Sequence, residues 1–444
     1  MAKIEINPKF KEALQLLEHS SQNLFITGRA GTGKSTLLEY FRGQTRQNLA
    51  VLAPTGVAAI NVRGQTIHSF FGFKPDITIE KAKAVHVRAE KRELYKKLDV
   101  LIIDEISMVR ADLLDCVDAF LRQNGKQRRK PFGGIRVVFL GDLYQLPPVV
   151  TREETELFQS QYRSPYFFDA KSMEEFPLTI VELETIYRQS DPNFISLLNA
   201  VRSGIIDDDQ LERLNSRHDP FFVPPVNQFY LRLTTTNAKA EMINQREIEQ
   251  SLGKVTVFDG ITTGQFDNRA LPAPAGLQLK TGAQVMLVSN DRARRWVNGT
   301  MGKIEKISES AGFNKIIFVR LDSGEIVEVT PFTWEMFRFV LREDNGKIDS
   351  QSVGSYTQYP LILAWAVTIH KAQGKTFDRV IVDFDRGTFA HGQAYVALSR
   401  VTSLTGLVLT QPLQSRHLIL DRRVVDFLNN FGERRVVEDL TLDL

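Results

Sequence analysis

Residues 28–36 read GRAGTGKST, and no other part of this 444-residue chain says more about its fold. They fit the spacing G-x-x-x-x-G-K-[ST], which identifies a phosphate-binding loop when a strand precedes it and a helix follows. Both conditions are met, because the apolar run NLFIT (23–27) comes first and a helical pattern comes after. Glycines let backbone N–H groups surround a phosphate at the helix N-terminus. The stretch therefore predicts an α/β domain that binds a nucleotide.

Individual residues of this loop have separate chemical roles. Lys34 supplies a positive charge to the outer phosphates, and the Ser35 hydroxyl is placed to bind Mg²⁺. We therefore expect a nucleoside triphosphate and Mg²⁺ as cofactors. The residues predicted to bind the nucleotide here are Gly28, Ala30, Gly31, Thr32, Gly33, Lys34, Ser35 and Thr36.

Two further apolar strands end in polar residues that suit hydrolysis. The run VLIID (100–104) ends in Asp104, which Glu105 follows, and the run IRVVFLG (135–141) leads to Gln145. Ligands bind at the carboxyl ends of parallel strands, so these side chains are predicted to lie near the phosphate loop. We expect Asp104 to hold Mg²⁺, Glu105 to act as base on the attacking water, and Gln145 to sense the terminal phosphate.

A second α/β block follows, without a phosphate loop of its own. It opens near Arg188, includes the apolar run RVIVDF (379–384), and contains Arg400. Arginines from a second domain can stabilise the charge of the transferring phosphoryl group and make hydrolysis depend on closure. The predicted catalytic residues are therefore Lys34, Glu105, Gln145, Arg188 and Arg400.

Residues 270–362 have a different texture, with short alternating apolar pieces separated by turn signals such as Asn298-Gly299. This pattern predicts a small antiparallel β module inserted into the second α/β block.

Composition limits the class of protein. Lys and Arg number 56 against 53 Asp and Glu, so a nucleic-acid partner would have to meet local basic runs such as 81–97 and 122–130. No apolar run reaches the roughly 18–20 residues that cross a bilayer. The single cysteine, Cys116, excludes an internal disulfide framework. We expect a protein that is cytoplasmic in a bacterial type of cell and associated with the nucleoid during function, or one that is otherwise intracellular.

The motifs in their order resemble a known family. GxxGTGKST, APTGVAA, IIDEISM, FLGDLYQLPP, YRQ, TIHKAQGKTF and YVALSR together resemble the superfamily 1B DNA helicases, over about residues 20–410. The element PFGG (131–134), between the carboxylate pair and Gln145, resembles a signature of the petite-integration-frequency (PIF) helicases.

This resemblance implies ATP-dependent translocation 5′ to 3′ along single-stranded DNA, and unwinding of duplexes, forks, RNA–DNA hybrids and G-quadruplexes. It implies ATP and Mg²⁺ as cofactors, single-stranded, forked or G-quadruplex DNA as partners, and a monomer in solution without a membrane. Residues that match the family's ATP motifs are Gly31, Gly33, Lys34, Ser35, Asp104, Glu105, Gln145, Arg188, Gly374 and Arg400. Residues that match its DNA contacts are Thr55, Gly56, His68, Thr235, Asn237, Thr368, His370 and Lys371. Phe70 is a further candidate for DNA contact, by stacking on a base, with core packing as the alternative.

The implied fold is α/β, with two RecA-like parallel-sheet domains and a small inserted SH3-like β-barrel domain. Residues 1–184 would form the first RecA-like domain, with a short wedge near 72–90. Residues 185–269 and 363–436 would form the second, and residues 270–362 the insert.

One position departs from the family pattern. Relatives often carry a glutamine near the start, in a pattern such as LNxxQ, that reads adenine. Here INPKF (6–10) places Phe10 at that point, so use of GTP or CTP stays open.

Other functions remain open on sequence grounds. The chain could be another superfamily 1B motor of the RecD type, although PFGG argues against that, or a helicase acting on RNA. A different class is a nucleotide-gated clamp that binds a single strand without processive movement. The pairing of Glu105 and Gln145 with two arginines favours fast hydrolysis and therefore a motor.

Overall fold

The computed structural model describes residues 6–430, except for residues 175, 190, 226–227, 252, 309–314 and 386. The chain divides into two compact units. Unit 1 comprises Met1–Tyr187, Met336–Ser352 and Leu420–Leu444. Unit 2 comprises Arg188–Glu335 and Val353–Ile419.

Unit 1 is built on one parallel β-sheet. Its strands are β1 (Asn23–Gly28), β2 (Leu49–Ala53), β3 (Gln65–Thr66), β4 (Val100–Ile103), β5 (Arg136–Leu140) and β6 (Leu178–Leu183). They lie in the order β3-β2-β4-β5-β1-β6, and all neighbours are parallel. Consecutive residues of β2, β4 and β5 are buried, so both faces of the sheet are covered.

Helices connect these strands. They are α1 (Pro8–His19), α2 (Lys34–Gln44), α3 (Gly56–Asn61), α4 (Ile67–Phe71), α5 (Ile79–Ala84), α6 (Ala89–Lys97), α7 (Ala111–Asn124) and α8 (Arg152–Gln161). The side chains of Asn7, Thr55 and Thr66 cap the first turns of α1, α3 and α4, which satisfies N–H groups that have no partner inside the helix.

Unit 2 contains a second parallel sheet, of four strands in the order β18-β7-β19-β20. Those strands are β7 (Leu231–Thr234), β18 (Ala366–Thr368), β19 (Val380–Asp383) and β20 (Leu407–Leu409). The helices of this unit are α9 (Pro192–Ser203), α10 (Asp208–Asn215), α11 (Asn237–Gln250) and α12 (Gln393–Leu398).

Antiparallel strands occupy the chain between β7 and β18. They are β8 (Thr256–Asp259), β9 (Ile261–Gly264), β10 (Gly276–Leu279), β11 (Gln284–Leu287), β12 (Met301–Ser308), β13 (Ile316–Leu321), β14 (Ile326–Val329), β15 (Phe332–Leu341), β16 (Ile348–Gln358) and β17 (Leu361–Leu363). Five of them form a sheet in the order β14-β13-β12-β11-β17, with its own hydrophobic core around Val285, Ile304 and Val319. Antiparallel strands were predicted over residues 270–362, and β10–β17 confirm their presence there, whereas β8 and β9 precede that range.

The tip of the β15–β16 hairpin, Met336–Ser352, groups with unit 1, whereas the sequence suggested one insert over 270–362. The reason is Phe339, which packs edge-on against Phe70 with 5.9 Å between ring centroids. The Phe339 N–H also donates to Gln65 Oε1 at 2.8 Å. Apolar burial at the tip therefore anchors this hairpin in the core of unit 1.

The last described residues also group with unit 1, although the sequence suggested the second domain up to residue 436. Residues 422–430 are helical, and the Phe427 ring stacks on Phe168 with 4.3 Å between centroids. Residues 431–436 lie outside the described part of the chain.

The α/β class with two RecA-like parallel sheets is thus confirmed, together with additional antiparallel sheets. Within the described ranges, no helix combines the length and apolar character that a bilayer crossing demands.

Candidate nucleotide and DNA sites

The phosphate loop joins β1 to α2, as the sequence predicts. Gly33 has a φ of 88° at the start of α2, in the left-handed region that favours glycine. A Cβ on Gly28 would lie 2.6 Å from the Leu183 carbonyl oxygen and from Thr32 Oγ1. The loop therefore needs glycine at both positions, for conformation at one and for close approach at the other.

Lys34 lies on the inner side of this loop. Its Nζ donates to the carbonyl oxygens of Gly28 at 2.6 Å and Arg29 at 3.2 Å. The ammonium is therefore held where the loop curves, in the position from which a lysine can reach the outer phosphates.

Asp104 and Glu105 leave β4 at the same edge of the sheet. Burial raises the pKa of Asp104, while the N–H of Glu105 and the charge of Lys34 act in the opposite direction. Glu105 has a φ of 51°, which is uncommon for a residue with a side chain. Strained backbone of this kind is concentrated at functional sites, so the observation supports the base role predicted for Glu105.

Gln145 follows β5 and is buried. Its Nε2 donates to Asp142 Oδ2 at 3.1 Å, and its backbone N–H donates to the Asp142 carbonyl at 2.9 Å. Asp142 therefore fixes the orientation of the predicted phosphate sensor. Asp142 lies within the motif FLGDLYQLPP, but its role could not be predicted from the motif because its bond to Gln145 is visible only in three dimensions.

Parallel register explains why these residues meet. Ile26 of β1 is paired with Leu140 of β5, and Phe139 of β5 is paired with Ile103 of β4. Strands in register end at one edge, so the phosphate loop, the carboxylate pair and the glutamine segment emerge side by side.

Tyr187 is a site residue that sequence analysis missed. Its N–H donates to the Gly31 carbonyl at 3.0 Å, and its Cε2 lies 3.9 Å from where a Cβ on Gly33 would be. The Asn7 side chain donates to the Tyr187 hydroxyl at 2.9 Å. The side chain, 47% exposed, thus presents an aromatic surface beside the phosphate loop. The sequence signal that could have identified Tyr187 is its position in the motif YRQ, directly before Arg188.

Phe10 is a core residue, not a base-reading one. It is buried, and its ring meets Tyr40 edge-on at 6.1 Å between centroids. Asn7 and Tyr187, which are joined by a hydrogen bond, are polar groups that could approach a base instead.

Ser35 and Asp104 suit Mg²⁺ by their chemistry. The Ser35 side chain is exposed at the start of α2. The positive charge of Lys34 acts on the Asp104 carboxylate, so the Ser35 hydroxyl and the Asp104 carboxylate both lie near the phosphate loop. Mg²⁺ in nucleotide sites takes few protein oxygens and completes its shell with phosphates and water. The described residues contain no cluster of three or more His, Cys, Asp or Glu side chains that could hold a metal ion.

Arg188 and Arg400 come together within unit 2. Arg188 Nη2 donates to the Gly374 carbonyl at 3.2 Å, and its Nη1 donates to the Ser399 carbonyl at 3.4 Å. Arg400 is 1% exposed and donates to the carbonyls of Val396 at 2.8 Å and Lys375 at 3.2 Å. In this structure the guanidinium of Arg400 is engaged inside unit 2, so its catalytic role stays a prediction and requires that these bonds rearrange.

The predicted DNA residues of unit 2 leave one edge of the second sheet. Thr368 of β18 is paired with Thr234 of β7, so the segments that start at Thr235 and at Ile369 emerge together. Side-chain exposure differs among the predicted residues: Thr235 and Thr368 are buried, His370 is half-buried, and Asn237 and Lys371 are exposed. Burial lowers the pKa of His370, which favours a neutral imidazole.

The predicted DNA residues of unit 1 also share an edge. Ala53 of β2 is paired with Thr66 of β3, which places Thr55 and Gly56 beside His68. Thr55 is exposed and His68 is half-buried.

Phe70 lies elsewhere, in the core. It is 1% exposed and has aromatic neighbours on several sides, Phe71, Tyr95 and Phe339. The structure therefore assigns Phe70 to core packing, the alternative given for it above, because its faces are covered by protein.

The wedge stretch 72–90 holds helix α5 and the start of α6. The PFGG element is a tight turn after α7. Phe132 is fully buried, and its N–H donates to Asp118 Oδ1 at 2.7 Å. A Cβ on Gly133, whose φ is 63°, would lie 2.2 Å from the Leu121 carbonyl oxygen. This element therefore locks the end of α7 to the segment before β5.

The chain is similar to helicases of the Pif1 type, both by family model and by individual relatives. The model of the PIF1-like helicase family matches residues 7–212. ATP-dependent DNA helicase Pif1 of Bdellovibrio bacteriovorus is 35% identical over 441 residues, which cover 96% of this chain and 92% of that protein. The chain spans 61% of the length of ATP-dependent DNA helicase PIF1 of Rattus norvegicus, to which it is 36% identical.

Solved structures of Pif1 helicases are also similar to this chain. Pif1 from Bacteroides in complex with ADP-AlF4 has a TM-score of 0.88 and 35% identity, covering 97% of this chain and 98% of that one. Bacteroides Pif1 bound to single-stranded DNA has a TM-score of 0.67 and 35% identity, with the same coverage of both chains.

Proposed function

The chain belongs to the PIF1-like helicase family, and we propose that it is an ATP-dependent DNA helicase that moves 5′ to 3′ along single-stranded DNA. In support, a Bacteroides relative has been solved in complex with ADP-AlF4, and another structure of that relative is bound to single-stranded DNA.

The observation that carries this proposal is the catalytic edge of unit 1. Lys34, Asp104, Glu105 and Gln145 leave neighbouring strands of one sheet, at the end where ligands bind in such sheets. Lys34 stabilises charge on the outer phosphates, and Gln145, oriented by Asp142, positions the attacking water. Glu105 accepts the proton of that water. Mg²⁺ bound by Ser35 and Asp104 would neutralise charge on the phosphate oxygens.

Arg188 and Arg400 supply positive charge from unit 2. We propose that ATP binding draws these guanidinium groups to the terminal phosphate, so that hydrolysis depends on both units. Arg400 then exchanges its bonds to backbone carbonyls for bonds to phosphate oxygens.

DNA is gripped by small polar side chains and backbone groups rather than by base-specific contacts. One set of phosphate-binding groups, here called a grip, consists of Thr55, Gly56 and His68 in unit 1. The other grip consists of the segments around Asn237 and Lys371 in unit 2. Such groups bind phosphates without reading sequence, and two grips that move with the nucleotide state give directed steps.

The substrates that we propose are duplexes with a 5′ tail, forks, RNA–DNA hybrids and G-quadruplexes. The inserted stretch, residues 270–362, corresponds to an SH3-like accessory domain, and residues 72–90 to the wedge at the fork.

A direct test measures ATP hydrolysis with and without single-stranded DNA, in the wild type and in Lys34→Ala. We expect strong stimulation by DNA in the wild type and no hydrolysis in the variant, because the outer phosphates lose their cationic partner. Lys254→Ala, a change at an exposed lysine of unit 2, is the control. If DNA left the wild-type rate unchanged, the coupling of hydrolysis to movement would be refuted.

A further inference from the structure

The segment between β19 and α12, described over residues 384–385 and 387–392, has no part in the function described so far. It leaves the carboxyl end of β19, whose Asp383 is paired with Thr234 of β7. Thr234 is also paired with Thr368 of β18, so the three strands end at one edge of the second sheet. Neighbouring strands lie about 5 Å apart, so this segment begins within about 10 Å of the predicted DNA-binding segments that follow β7 and β18.

A salt bridge fastens this segment to the helix that carries Asn237, a predicted DNA contact. Lys239 Nζ lies 2.9 Å from Asp383 Oδ1 and 3.1 Å from Asp385 Oδ1. Lys239 stands in the first turn of α11, two residues after Asn237. The segment after β19 is therefore held directly beside the start of α11.

The backbone around Phe389 is fixed by hydrogen bonds. The Phe389 N–H donates to Gln393 Oε1 at 3.0 Å, and Gln393 is fully buried in α12. Next to it, the Thr388 hydroxyl donates to the His417 carbonyl at 2.8 Å. A segment held in this way has little conformational freedom left to lose when a ligand binds.

The Phe389 side chain itself is open to solvent. It is 64% exposed, whereas Phe70, which the structure assigns to core packing, is 1% exposed. A phenyl ring in water forgoes the burial that usually stabilises it. A fixed segment that presents such a ring beside predicted DNA contacts is suited to stack on a nucleic-acid base, because every base has a π-face.

We propose that Phe389 stacks on a base of the bound single strand. This inference rests on the proposed function, which assigns DNA to this edge of unit 2. The two grips hold phosphates, which single strands and duplexes share, whereas a stacking ring requires a base whose face is free. Phe389 therefore gives unit 2 a preference for single-stranded over duplex DNA.

The test measures binding of a fluorescently labelled oligothymidine strand to the full chain, by anisotropy and without nucleotide. We expect Phe389→Ala to bind about 5- to 150-fold more weakly, the loss of one stacked base. Phe389→Trp keeps an aromatic face and should bind near the wild-type level, whereas Phe389→Leu, which is apolar without a ring, should recover little of the loss. Ile205→Ala, at a side chain of unit 2 that is 79% exposed, is the control and should bind as the wild type does.

A strand of the same length made of abasic nucleotides separates stacking from phosphate contact. Because this strand offers no base, the wild type and Phe389→Ala should bind it equally. Affinity for oligothymidine should fall with salt at the same slope in both proteins, since the phosphate contacts are unchanged. ATPγS binding at the wild-type level shows that Phe389→Ala is folded.

Equal binding of oligothymidine by the wild type and Phe389→Ala would overturn the inference. An equal loss of affinity for the abasic strand would overturn it as well and assign the ring to the fold or to backbone contact. Wild-type affinity in Phe389→Leu would also contradict it, because apolar contact without a ring would then suffice. These outcomes leave the helicase proposal intact, whereas a wild type that binds no single strand would refute the proposed function and this inference with it.

Discussion

Glu105 is the residue that we propose as the base on the attacking water. It stands directly after the buried strand β4, in a left-handed backbone conformation. We expect Glu105→Gln to bind ATP with near wild-type affinity and to hydrolyse it roughly 10²- to 10⁴-fold more slowly, the usual contribution of general base catalysis. Single-turnover kinetics and ATPγS binding measure the two quantities separately. Turnover at the wild-type rate would remove Glu105 from the role of base.

Tyr187 is expected to support the nucleotide base. Its ring lies beside Gly33, and Asn7 holds its hydroxyl. Loss of one stacking contact is worth roughly 1–3 kcal/mol, so Tyr187→Ala should raise KM for ATP about 5- to 150-fold with little change in kcat. Tyr187→Phe keeps the ring and should stay close to the wild type. An equal KM in Tyr187→Ala would show that the base binds elsewhere.

At the scale of elements, the PFGG turn (131–134) packs against the C-terminal half of α7 and holds it in place. Gly133 has both a positive φ and a carbonyl oxygen where a Cβ would be, whereas Gly72 has a positive φ of 74° with open space around it. Gly133→Ala should therefore destabilise the protein by about 2–4 kcal/mol, and Gly72→Ala by about 1 kcal/mol. Chemical denaturation followed by circular dichroism measures both. Equal stability of the two variants would contradict the close packing described for this turn.

Local sequence patterns predicted the strands of the first sheet but could not predict contacts between residues that are far apart in the chain. The apolar strands before Gly28, Asp104 and Gln145 were predictable because parallel strands buried on both faces need continuous apolar runs. The bond between Asn7 and Tyr187 joins positions far apart in the chain and leaves no local signal. The same holds for Phe339, whose strand alternation predicts a β module but not burial against Phe70.

Phe70 shows a further limit of sequence reasoning. An aromatic residue next to a predicted DNA contact, His68, suits base stacking and core packing equally well. Only its neighbours decide, and rings surround it on several sides. Exposure of an aromatic ring is a property of tertiary packing, which local sequence does not determine.

At the scale of the whole molecule, the residues of the proposed function are divided between the two units. In the proposed function, unit 1 would supply the phosphate loop, the carboxylates and one set of DNA-binding residues, and unit 2 would supply the arginines and the other set. On this proposal neither set would be sufficient alone, because hydrolysis needs the water-activating groups and the charge-stabilising groups together. The proposal therefore predicts nucleotide-driven movement along a strand with a fixed polarity.

Strand displacement from tailed duplexes tests that consequence most directly. A labelled strand is annealed so that the duplex carries either a 5′ or a 3′ single-stranded tail, and release is followed after addition of ATP and Mg²⁺. The account predicts release from the 5′-tailed duplex and none from the 3′-tailed one, with no release by Lys34→Ala. Release only from the 3′-tailed duplex, or tight ATP-dependent binding without any release, would contradict it.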